Sequence, residues 1–374
     1  MSFKKKNIFL NFIPSPYRVD FFNELSKVCD LTVVFYYPTM PNAPWQNFDK
    51  ERRFKHFFLF EKKSSIIGLY NLFKFLYKHK NATIVIGGYA MLVEILTIFF
   101  LKIFRIDFIQ NSDGGFITKG FFKTLLKKKL IQSASYWLSS GVNTTKTLLY
   151  YGAKSSAVYE YHFSSIFNDE VDKRPLINAE ISVLKTELNL KTDVLYLVFV
   201  GQLIHRKGVD VLIRSLEFIT NSKIEVLIIG SGEEQENLIE IANNRKTQIK
   251  VHFLGKLSKD LVLKHLKISD LFVFPSREDI WGLVLNEAIA KGLPVISTNK
   301  VGSALSLIHS GINGFVIDVD NHLVLAEAIN EILSKDLKLM KEKSLSIAKK
   351  HTIEQMVEDH IVLFNEIEKK NKSL

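Results

Sequence analysis

The sequence predicts an α/β protein made of two doubly wound domains. Short apolar runs rich in β-branched residues alternate with helical patterns, and this alternation occurs in two successive series. A polar stretch separates the two series, and 374 residues is a length typical of two domains. We therefore expect two parallel sheets, each covered by helices on both faces.

The first series contains six candidate strands. Its opening run follows three lysines and superficially resembles a signal peptide, but Asn11 interrupts the apolar part and no small-residue cleavage site precedes Pro14. A buried first strand of a parallel sheet fits this run better. The predicted strands are 7–13, 31–37, 83–86, 106–110, 136–139 and 157–159.

Residues 91–109 form the most hydrophobic long stretch of the chain. Four charged residues interrupt it, so a transmembrane helix is not expected. We predict a helix over 91–104 instead, and a chain that is soluble or peripheral to a membrane.

The second series contains six further candidate strands, and all but the last are clearly followed by a helical pattern. We predict a first domain over 1–170, a linker over 171–192 and a second domain over 193–350. The amphipathic run 351–370 predicts a long helix that returns to the first domain. The predicted strands are 195–200, 225–229, 251–254, 271–274, 295–297 and 314–317.

Charge and aromatic residues are unevenly distributed. Residues 1–175 hold 25 Lys and Arg against 13 Asp and Glu, and they contain 22 of the 29 phenylalanines. A basic, Phe-rich half suits an anionic membrane surface or a lipid-linked acceptor, but it also suits nucleic acid or a simply solvated lysine surface. The single cysteine, Cys29, excludes an internal disulfide and favours a reducing compartment.

The segment from Gly201 to Asp210 follows a predicted strand and opens a helix. A glycine at a strand end permits close backbone approach, and a helix N-terminus offers free N–H groups to a phosphate. Arg206 and Lys207 add two cations at this place, which suits a nucleotide diphosphate. The spacing is neither the dinucleotide fingerprint nor the P-loop pattern. An ordinary surface Arg-Lys pair before a helix remains the alternative.

Residues 275–294 carry two carboxylates eight positions apart. Asp279 lies in a predicted loop and Glu287 more than a turn into the following helix, so both can face the cleft at the carboxyl ends of the strands. Carboxylates there can accept hydrogen bonds from ribose or sugar hydroxyls. For Glu278 we favour a purely structural role beside the helix N-terminus.

Five ordered motifs in the second half resemble glycosyltransferase family 4. The resemblance covers most of residues 195–320 and implies the GT-B fold, with two facing Rossmann-like domains, and sugar transfer with retention of configuration. The first half matches more loosely, through 13–18 and 161–165, which resemble a subgroup that builds bacterial surface polysaccharides. The five motifs are Gly-x-Leu-x-x-x-Lys-Gly at 201–208, Ile-Gly-Ser-Gly-Glu at 229–233, Phe-Leu-Gly-Lys-Leu at 253–257, the acids at 279 and 287, and Gly-Leu-Pro-Val at 292–295.

The resemblance implies a role for each motif residue. Arg206 and Lys207 would neutralise the donor diphosphate and stabilise the departing nucleotide. Glu287 would hold the ribose hydroxyls, and Asp279 aligns with the acid that contacts the transferred sugar. The other donor contacts it implies are Gly201 and Gly232, Gly255 and the backbone around Lys256 at the base, and the amides around Gly302 and Ser303 at the sugar and phosphates.

The sequence departs from the family at several positions. Asp279 is one methylene shorter than the usual Glu, and Ser306 stands where many members have Glu. The amino-domain His of many members is not obvious, and 111–115 occupies the corresponding strand end. Asp113 is therefore our candidate for orienting an acceptor hydroxyl or facing the donor sugar, with a turn-forming Asp-Gly as the alternative.

No metal or cofactor is expected. Asp318-Val319-Asp320 looks like a metal-binding D-x-D, but it stands where a turn and the helix cap Asn321 are predicted. No His or Cys cluster has metal-ligand spacing. The expected donor is a UDP-sugar or a GDP-sugar.

These inferences predict a metal-independent hexosyltransferase that transfers a sugar to a carbohydrate or lipid-linked acceptor in bacterial surface polysaccharide biosynthesis. We expect it in the cytoplasm, peripheral on the inner face of the plasma membrane, with the basic segments 52–55 and 121–129 docking there. A nucleotide-sugar epimerase, which would need no acceptor, and a basic nucleic-acid-binding protein are the alternatives. We do not expect nucleic acid to be a partner.

Overall fold

The computed structural model describes residues 5–39, 50–61, 65–117, 120–221 and 223–372. The chain divides into two compact units. The first comprises Met1–Ser165 together with Ile353–Leu374, and the second comprises Ile166–Thr352. Each unit is an α/β structure around one parallel sheet, which confirms the predicted fold class.

The first unit contains a seven-stranded parallel sheet in the order β3-β2-β1-β4-β5-β6-β7. Most of its inner strands are buried along their whole length, as expected for a sheet covered on both faces. The strands are β1 (Asn7–Asn11), β2 (Leu31–Phe35), β3 (Lys55–Phe58), β4 (Thr83–Ile86), β5 (Ile109–Ser112), β6 (Tyr136–Ser139) and β7 (Val158–Glu160).

Six helices complete the first unit. The last of them, α14, returns to it from the far end of the chain and packs against α1. The helices are α1 (Pro16–Leu25), α2 (Ile66–Lys78), α3 (Leu92–Ile103), α4 (Phe121–Ile131), α5 (Val142–Tyr150) and α14 (Ile353–Lys372). Among the described residues, none of the helices combines the length and apolar character needed to cross a bilayer.

Helix α14 supplies part of the core of the first unit. His360 lies 4.7 Å from the ring of Phe21, and Phe364 lies 6.2 Å from that of Phe9. Burial lowers the pKa of His360 to about 4, so this imidazole is neutral and packs as an aromatic ring.

The second unit contains a six-stranded parallel sheet in the order β10-β9-β8-β11-β12-β13. Its strands are β8 (Leu195–Val200), β9 (Ile224–Ile229), β10 (Lys250–Gly255), β11 (Leu271–Phe274), β12 (Val295–Thr298) and β13 (Gly314–Ile317). Its helices are α6 (Asn178–Glu187), α7 (Val209–Ser215), α8 (Gln235–Asn243), α9 (Lys259–Ile268), α10 (Val284–Ala290), α11 (Ala304–Leu307), α12 (His322–Leu333) and α13 (Leu337–Ala348).

Several strand predictions in the first unit differ from the structure. The strands expected at 7–13 and 31–37 each end two residues earlier, and the one expected at 157–159 is shifted by one residue. The strand expected at 106–110 begins at Ile109, opposite Val85, because Arg105 adopts a left-handed φ of 52° after α3 and the chain reaches the sheet only later. The edge strand β3 was not predicted at all. It has only four residues, with exposed ends, and therefore lacks a clear apolar pattern.

The stretch 171–192, which we expected to be a linker, lies in the second unit. Val171 is buried in the core of that unit, and α6 packs against α9. The polar composition of this stretch reflects the solvent-facing side of a short helix, which a sequence alone does not distinguish from a linker.

Candidate functional site

The turn after β8 brings Lys207 to Asp279. A short 3-10 helix over His205–Lys207 follows the strand, and Lys207 is buried and forms an ion pair with the Asp279 carboxylate. Gly208 ends this turn with a φ of 67°, and a Cβ there would lie 2.1 Å from the carbonyl oxygen of Pro275. Glycine is thus required where the turn meets the end of β11.

The cations of this turn differ in their exposure. Arg206 is exposed and donates from Nη1 to the carbonyl oxygen of Glu278 at 2.7 Å. Burial lowers the pKa of Lys207 from its usual value, Asp279 opposes that change, and the neighbouring Arg206 adds to it. The structure therefore brings together Arg206, Lys207 and Asp279, as the resemblance to a known family predicts.

Arg277 holds this region together, and the sequence analysis did not identify it. It donates to both carboxylate oxygens of Asp210, at 2.9 and 2.8 Å, and to the carbonyl oxygen of His205 at 2.6 Å. Its Nε also reaches Asp320 at 2.6 Å. The available signal was an arginine placed between the 201–210 segment and the acid at 279. A forked guanidinium at such a position can join several loops at once.

The Asp318–Asp320 segment has the structural role that we favoured. Asp320 pairs with Arg277 and has a left-handed φ of 59°, while the Asn321 side chain caps α12 by accepting from the N–H of Val324. Throughout the part of the chain that the structure describes, no group of three His, Cys, Asp or Glu side chains is placed to hold a metal ion.

Glu287 is the fourth residue of α10, which directly follows the loop that carries Asp279, so the expectation that it lies more than a turn into the helix is wrong. Burial raises the pKa of its carboxyl group to about 7, the nearby Lys259 and Lys291 oppose this, and Glu170 adds to it. The charged groups that act on Glu287 are thus different from the one that acts most on Lys207, which is Asp279. A carboxylate that is costly to ionise is suited to accepting strong hydrogen bonds from a polar ligand.

The predicted role of the Gly302 and Ser303 amides does not agree with their contacts. The Gly302 N–H donates to the carbonyl oxygen of Asp279 at 3.1 Å, and the Ser303 N–H donates to that of Trp281 at 2.9 Å. Both amides thereby bind the loop at 279–282, because this loop pairs with the chain after β12. They position Asp279 and are not directed at a ligand.

The four predicted donor-site glycines also differ from one another. A Cβ at Gly232 would lie 2.2 Å from the carbonyl oxygen of Leu203, and one at Gly302 would lie 2.2 Å from that of Ile280. A Cβ at Gly201 would come within 3.0 Å of the Phe199 ring. These three positions pack against the protein's own chain.

Gly255 is different. It ends β10 with a φ of 67°, and open space adjoins it. The exposed Lys256 follows it. This glycine lies at a strand end with open space beside its backbone, and its role at the base stays a prediction.

In the first unit, Asp113 at the end of β5 belongs to a polar network. Its carboxylate forms an ion pair with buried Arg18 of α1 and accepts hydrogen bonds from Tyr161 Oη at 2.9 Å and Asn111 Nδ2 at 3.0 Å. It is therefore more than a turn-forming aspartate. The sequence analysis missed Arg18 and Tyr161 as its partners, although both lie in the quoted motifs 13–18 and 161–165.

Aromatic rings surround the Arg18 guanidinium. The rings of Tyr17 and Phe163 lie 5.6 and 5.4 Å from it. Burial disfavours its charge, but the Asp113 carboxylate more than compensates, and the net effect raises the pKa of Arg18. The Arg18 guanidinium therefore stays charged, and 28% of the Asp113 side chain is exposed at the strand end.

Comparison with known proteins identifies the second half of the chain. Residues 181–351 match the family "Glycosyl transferases group 1". This match covers less than half of the chain. The resemblance of the second half to glycosyltransferases is thereby confirmed, while family 4 and retention of configuration stay predictions.

Curated relatives agree with this match over similar lengths. N-acetyl-alpha-D-glucosaminyl L-malate synthase of Bacillus anthracis is 28% identical over 44% of this chain and 43% of its own length. Lipopolysaccharide core biosynthesis glycosyltransferase LpsE of Rhizobium meliloti is 28% identical over 41% of this chain and 44% of its own. Capsular polysaccharide biosynthesis glycosyltransferase CapM of Staphylococcus aureus is 27% identical over 49% of this chain and 48% of its own length. The chain thus spans about half the length of these relatives or less.

Solved structures match the fold of the whole chain. Anabaena HepE in complex with UDP has a TM-score of 0.74 at 15% identity, over 99% of this chain and 100% of that one. A glycosyltransferase from Rickettsia africae has a TM-score of 0.76 at 17% identity, over 98% and 99%. The fold of two parallel-sheet α/β domains is therefore shared with GT-B proteins.

Proposed function

We propose that the chain is a glycosyltransferase that moves a sugar from a UDP-sugar or GDP-sugar to a carbohydrate or lipid-linked acceptor in bacterial surface polysaccharide biosynthesis. One observation carries this proposal, the buried Lys207–Asp279 ion pair with Arg206 beside it, within a segment that matches glycosyl transferases. We further propose that the enzyme is a hexosyltransferase, that it needs no metal, and that the transferred sugar retains its configuration.

The proposed chemistry needs a cation where negative charge develops. When the bond between the sugar and the diphosphate breaks, the electron pair stays on the departing nucleotide diphosphate. Lys207 and Arg206 would stabilise that charge, and preorganised donors of this kind cost no rearrangement during reaction. Asp279 would hold the Lys207 ammonium in place and face the transferred sugar, and Asp113 would orient the acceptor hydroxyl.

Calorimetric titration with UDP and GDP, and with their glucose conjugates, tests the donor assignment. Removing a hydrogen-bond partner to a charged group costs on the order of 1.5–3 kcal/mol, so Glu287→Ala should weaken donor binding roughly ten-fold or more. The matched control is Glu278→Ala, which removes an exposed acid from the loop before α10. Equal affinity of the parent and Glu287→Ala would reject the ribose assignment.

Product analysis separates transfer from its rivals. Incubation with the donor alone should leave its sugar unchanged, whereas an epimerised sugar nucleotide would identify an epimerase. Salt-sensitive binding of DNA without any binding of nucleotide sugars would instead favour a nucleic-acid-binding protein.

We also propose that the protein works in the cytoplasm at the inner face of the plasma membrane. The net positive charge of residues 1–175 supports this proposal. The segment 52–55, however, does not form a docking surface, because Phe54 is buried and Arg53 and Lys55 form ion pairs with Glu51 and Asp30. The segment 121–129 is largely exposed and remains a candidate.

A further inference from the structure

Three helices of the first unit expose apolar side chains. On α3, Leu92, Leu96, Phe99 and Ile103 recur at intervals of four, three and four residues and form one exposed stripe. Ile103 keeps 74% of its surface exposed. This stretch is the hydrophobic run of residues 91–109, whose apolar character therefore does not come from burial alone.

Helices α2 and α4 extend this surface. Helix α3 contacts both of them. Helix α2 exposes Ile66, Ile67, Tyr70 and Tyr77, and α4 exposes Phe121, Phe122, Leu125 and Leu126. Ile66 and Phe122 are 86% and 82% exposed. A soluble monomer rarely shows a contiguous apolar surface of this kind, so it indicates an interaction site. We call it the three-helix face.

The charges on the three-helix face have one sign. Helices α2, α3 and α4 carry two, one and four lysines respectively, and their single acid is Glu94. Glu94 is buried and accepts from the N–H groups of Ala90 and Met91, so it does not offset the lysines at the surface. Apolar side chains surrounded by lysine ammonium groups are typical of segments that lie in the interface of an anionic bilayer.

A cleft between α2 and α3 adds a second, independent feature. It has a volume of about 330 Å³ and is lined by Tyr70, Phe73, Lys74, Tyr77, Phe100 and Phe104. The Phe73 and Phe100 rings stack with centroids 4.4 Å apart, and Tyr77 meets Phe104 edge-on at 5.4 Å. Such a ring-lined cleft suits a hydrocarbon chain, with the Lys74 ammonium available to a lipid phosphate.

We propose that the three-helix face docks on an anionic phospholipid bilayer and that the α2–α3 cleft takes up part of an acyl chain. A second copy of this chain is a poorer occupant, because it would bring lysines against lysines. The inference deepens the proposed membrane location, yet it does not involve the donor site of the second unit. The two proposals can therefore fail separately.

Vesicle sedimentation tests the docking surface. The probes are vesicles of phosphatidylcholine and phosphatidylglycerol in equal parts, and vesicles of phosphatidylcholine alone. The parent should bind the first kind and not the second at low salt. A combined Ile67→Ser, Ile103→Ser and Phe122→Ser variant removes three exposed side chains and should bind about ten-fold or more weakly.

The matched control removes three exposed apolar side chains from the second unit, by Val183→Ser, Leu323→Ser and Leu339→Ser. It should bind like the parent. Unchanged unfolding midpoints and unchanged UDP binding would show that both combined variants are folded with an intact donor site. Failure of the parent to bind, or equal binding by the three-helix variant, would overturn the proposal. The proposal would also be overturned if the parent formed a dimer and did not bind vesicles, while the three-helix variant was monomeric. That result would assign the face to a second copy of the chain.

Fluorescence quenching tests the cleft. A Tyr77→Trp variant places an indole at its edge, and phosphatidylglycerol with brominated acyl chains should quench the added emission after subtraction of the parent signal. Phe218→Trp, at an exposed site of the second unit, should stay unquenched. If Tyr77→Trp bound vesicles without quenching, acyl chains would not enter the cleft and this part of the proposal would be wrong.

Discussion

The two units share one sheet topology and use it differently. In both, the first six strands follow the spatial order third, second, first, fourth, fifth, sixth. In both, a basic residue just after the first strand forms an ion pair with an aspartate that follows a later strand. The pairs are Arg18–Asp113 in the first unit and Lys207–Asp279 in the second.

The surroundings of these pairs differ. Two aromatic rings flank Arg18, and Tyr161 and Asn111 complete the shell of Asp113. Lys207 lies over a single ring, that of Phe274 at 5.0 Å, and has a second cation next to it in the chain, the exposed Arg206. The comparison teaches that one sheet topology supports an ion pair at two different places, because Asp113 follows the fifth strand of the first unit whereas Asp279 follows the fourth strand of the second.

Breaking the pair in the second unit should have the largest effect. Lys207→Met removes a charge that we assign to the leaving diphosphate, so turnover should fall roughly 100-fold or more. Steady-state kinetics with a nucleotide sugar measures this, with Lys338→Met on the exposed surface of α13 as the control. Turnover within about two-fold of the parent would show that the Lys207–Asp279 pair serves only the structure of the second unit.

Breaking the pair in the first unit should mainly cost stability. Arg18→Met leaves Asp113 without its cation, and we expect the free energy of unfolding of the first unit to fall by about 2–3 kcal/mol. Hydrogen exchange measures the two units separately. The control Arg53→Met removes an exposed ion pair and should change it by less than about 1 kcal/mol. A larger effect on donor affinity than on stability would contradict the division of roles.

The smallest expected effect is on the pH dependence of the free energy of unfolding, through the carboxyl group of Glu287. The pKa of Glu287 is about 7 in the folded chain and lies near 4.5 in ordinary surroundings. Its neutral form stabilises the fold fully below the lower value, and that contribution is lost as the pH rises through the higher one. Glu287→Gln should therefore raise the free energy of unfolding by about 1–2 kcal/mol near pH 8 relative to near pH 5.

Thermal melts across this pH range, with and without a nucleotide sugar, measure the Glu287 effect. Glu278→Gln is the control, because that acid is exposed. If the difference in free energy of unfolding between Glu287→Gln and the parent did not depend on pH, ionisation of Glu287 would not destabilise the fold. The contrast between the two units would then rest on Lys207 alone.

Periodicity was enough to predict the two sheets, whereas the group of Arg206, Lys207 and Asp279 came from the resemblance to a known family, which also assigned Glu287 to the same donor. Buried parallel strands have long apolar runs, and the first three of these residues lie at strand ends that the topology brings together. The edge strand β3 could not be predicted in this way, because two of its four residues are exposed and none is buried, so its pattern resembles a loop.

Contacts between distant segments were not predictable. The hydrogen bonds from Arg277 to Asp210 and Asp320 join residues that are 67 and 43 positions apart in the sequence, and no local pattern specifies them. The amides of Gly302 and Ser303 were assigned to a ligand because sequence cannot show which N–H groups the chain uses itself. The exposed stripe on α3 was hidden for a similar reason, since apolar residues are usually interpreted as core.

The return of α14 to the first unit has a consequence for biosynthesis. The rings of Phe9 and Phe21 are synthesised before the second unit, but their partners Phe364 and His360 are synthesised only after it. The second unit can therefore complete its core while the first still has a gap along α1. The core of the first unit is therefore complete only once residues 353–372 have been added, after all residues of the second unit.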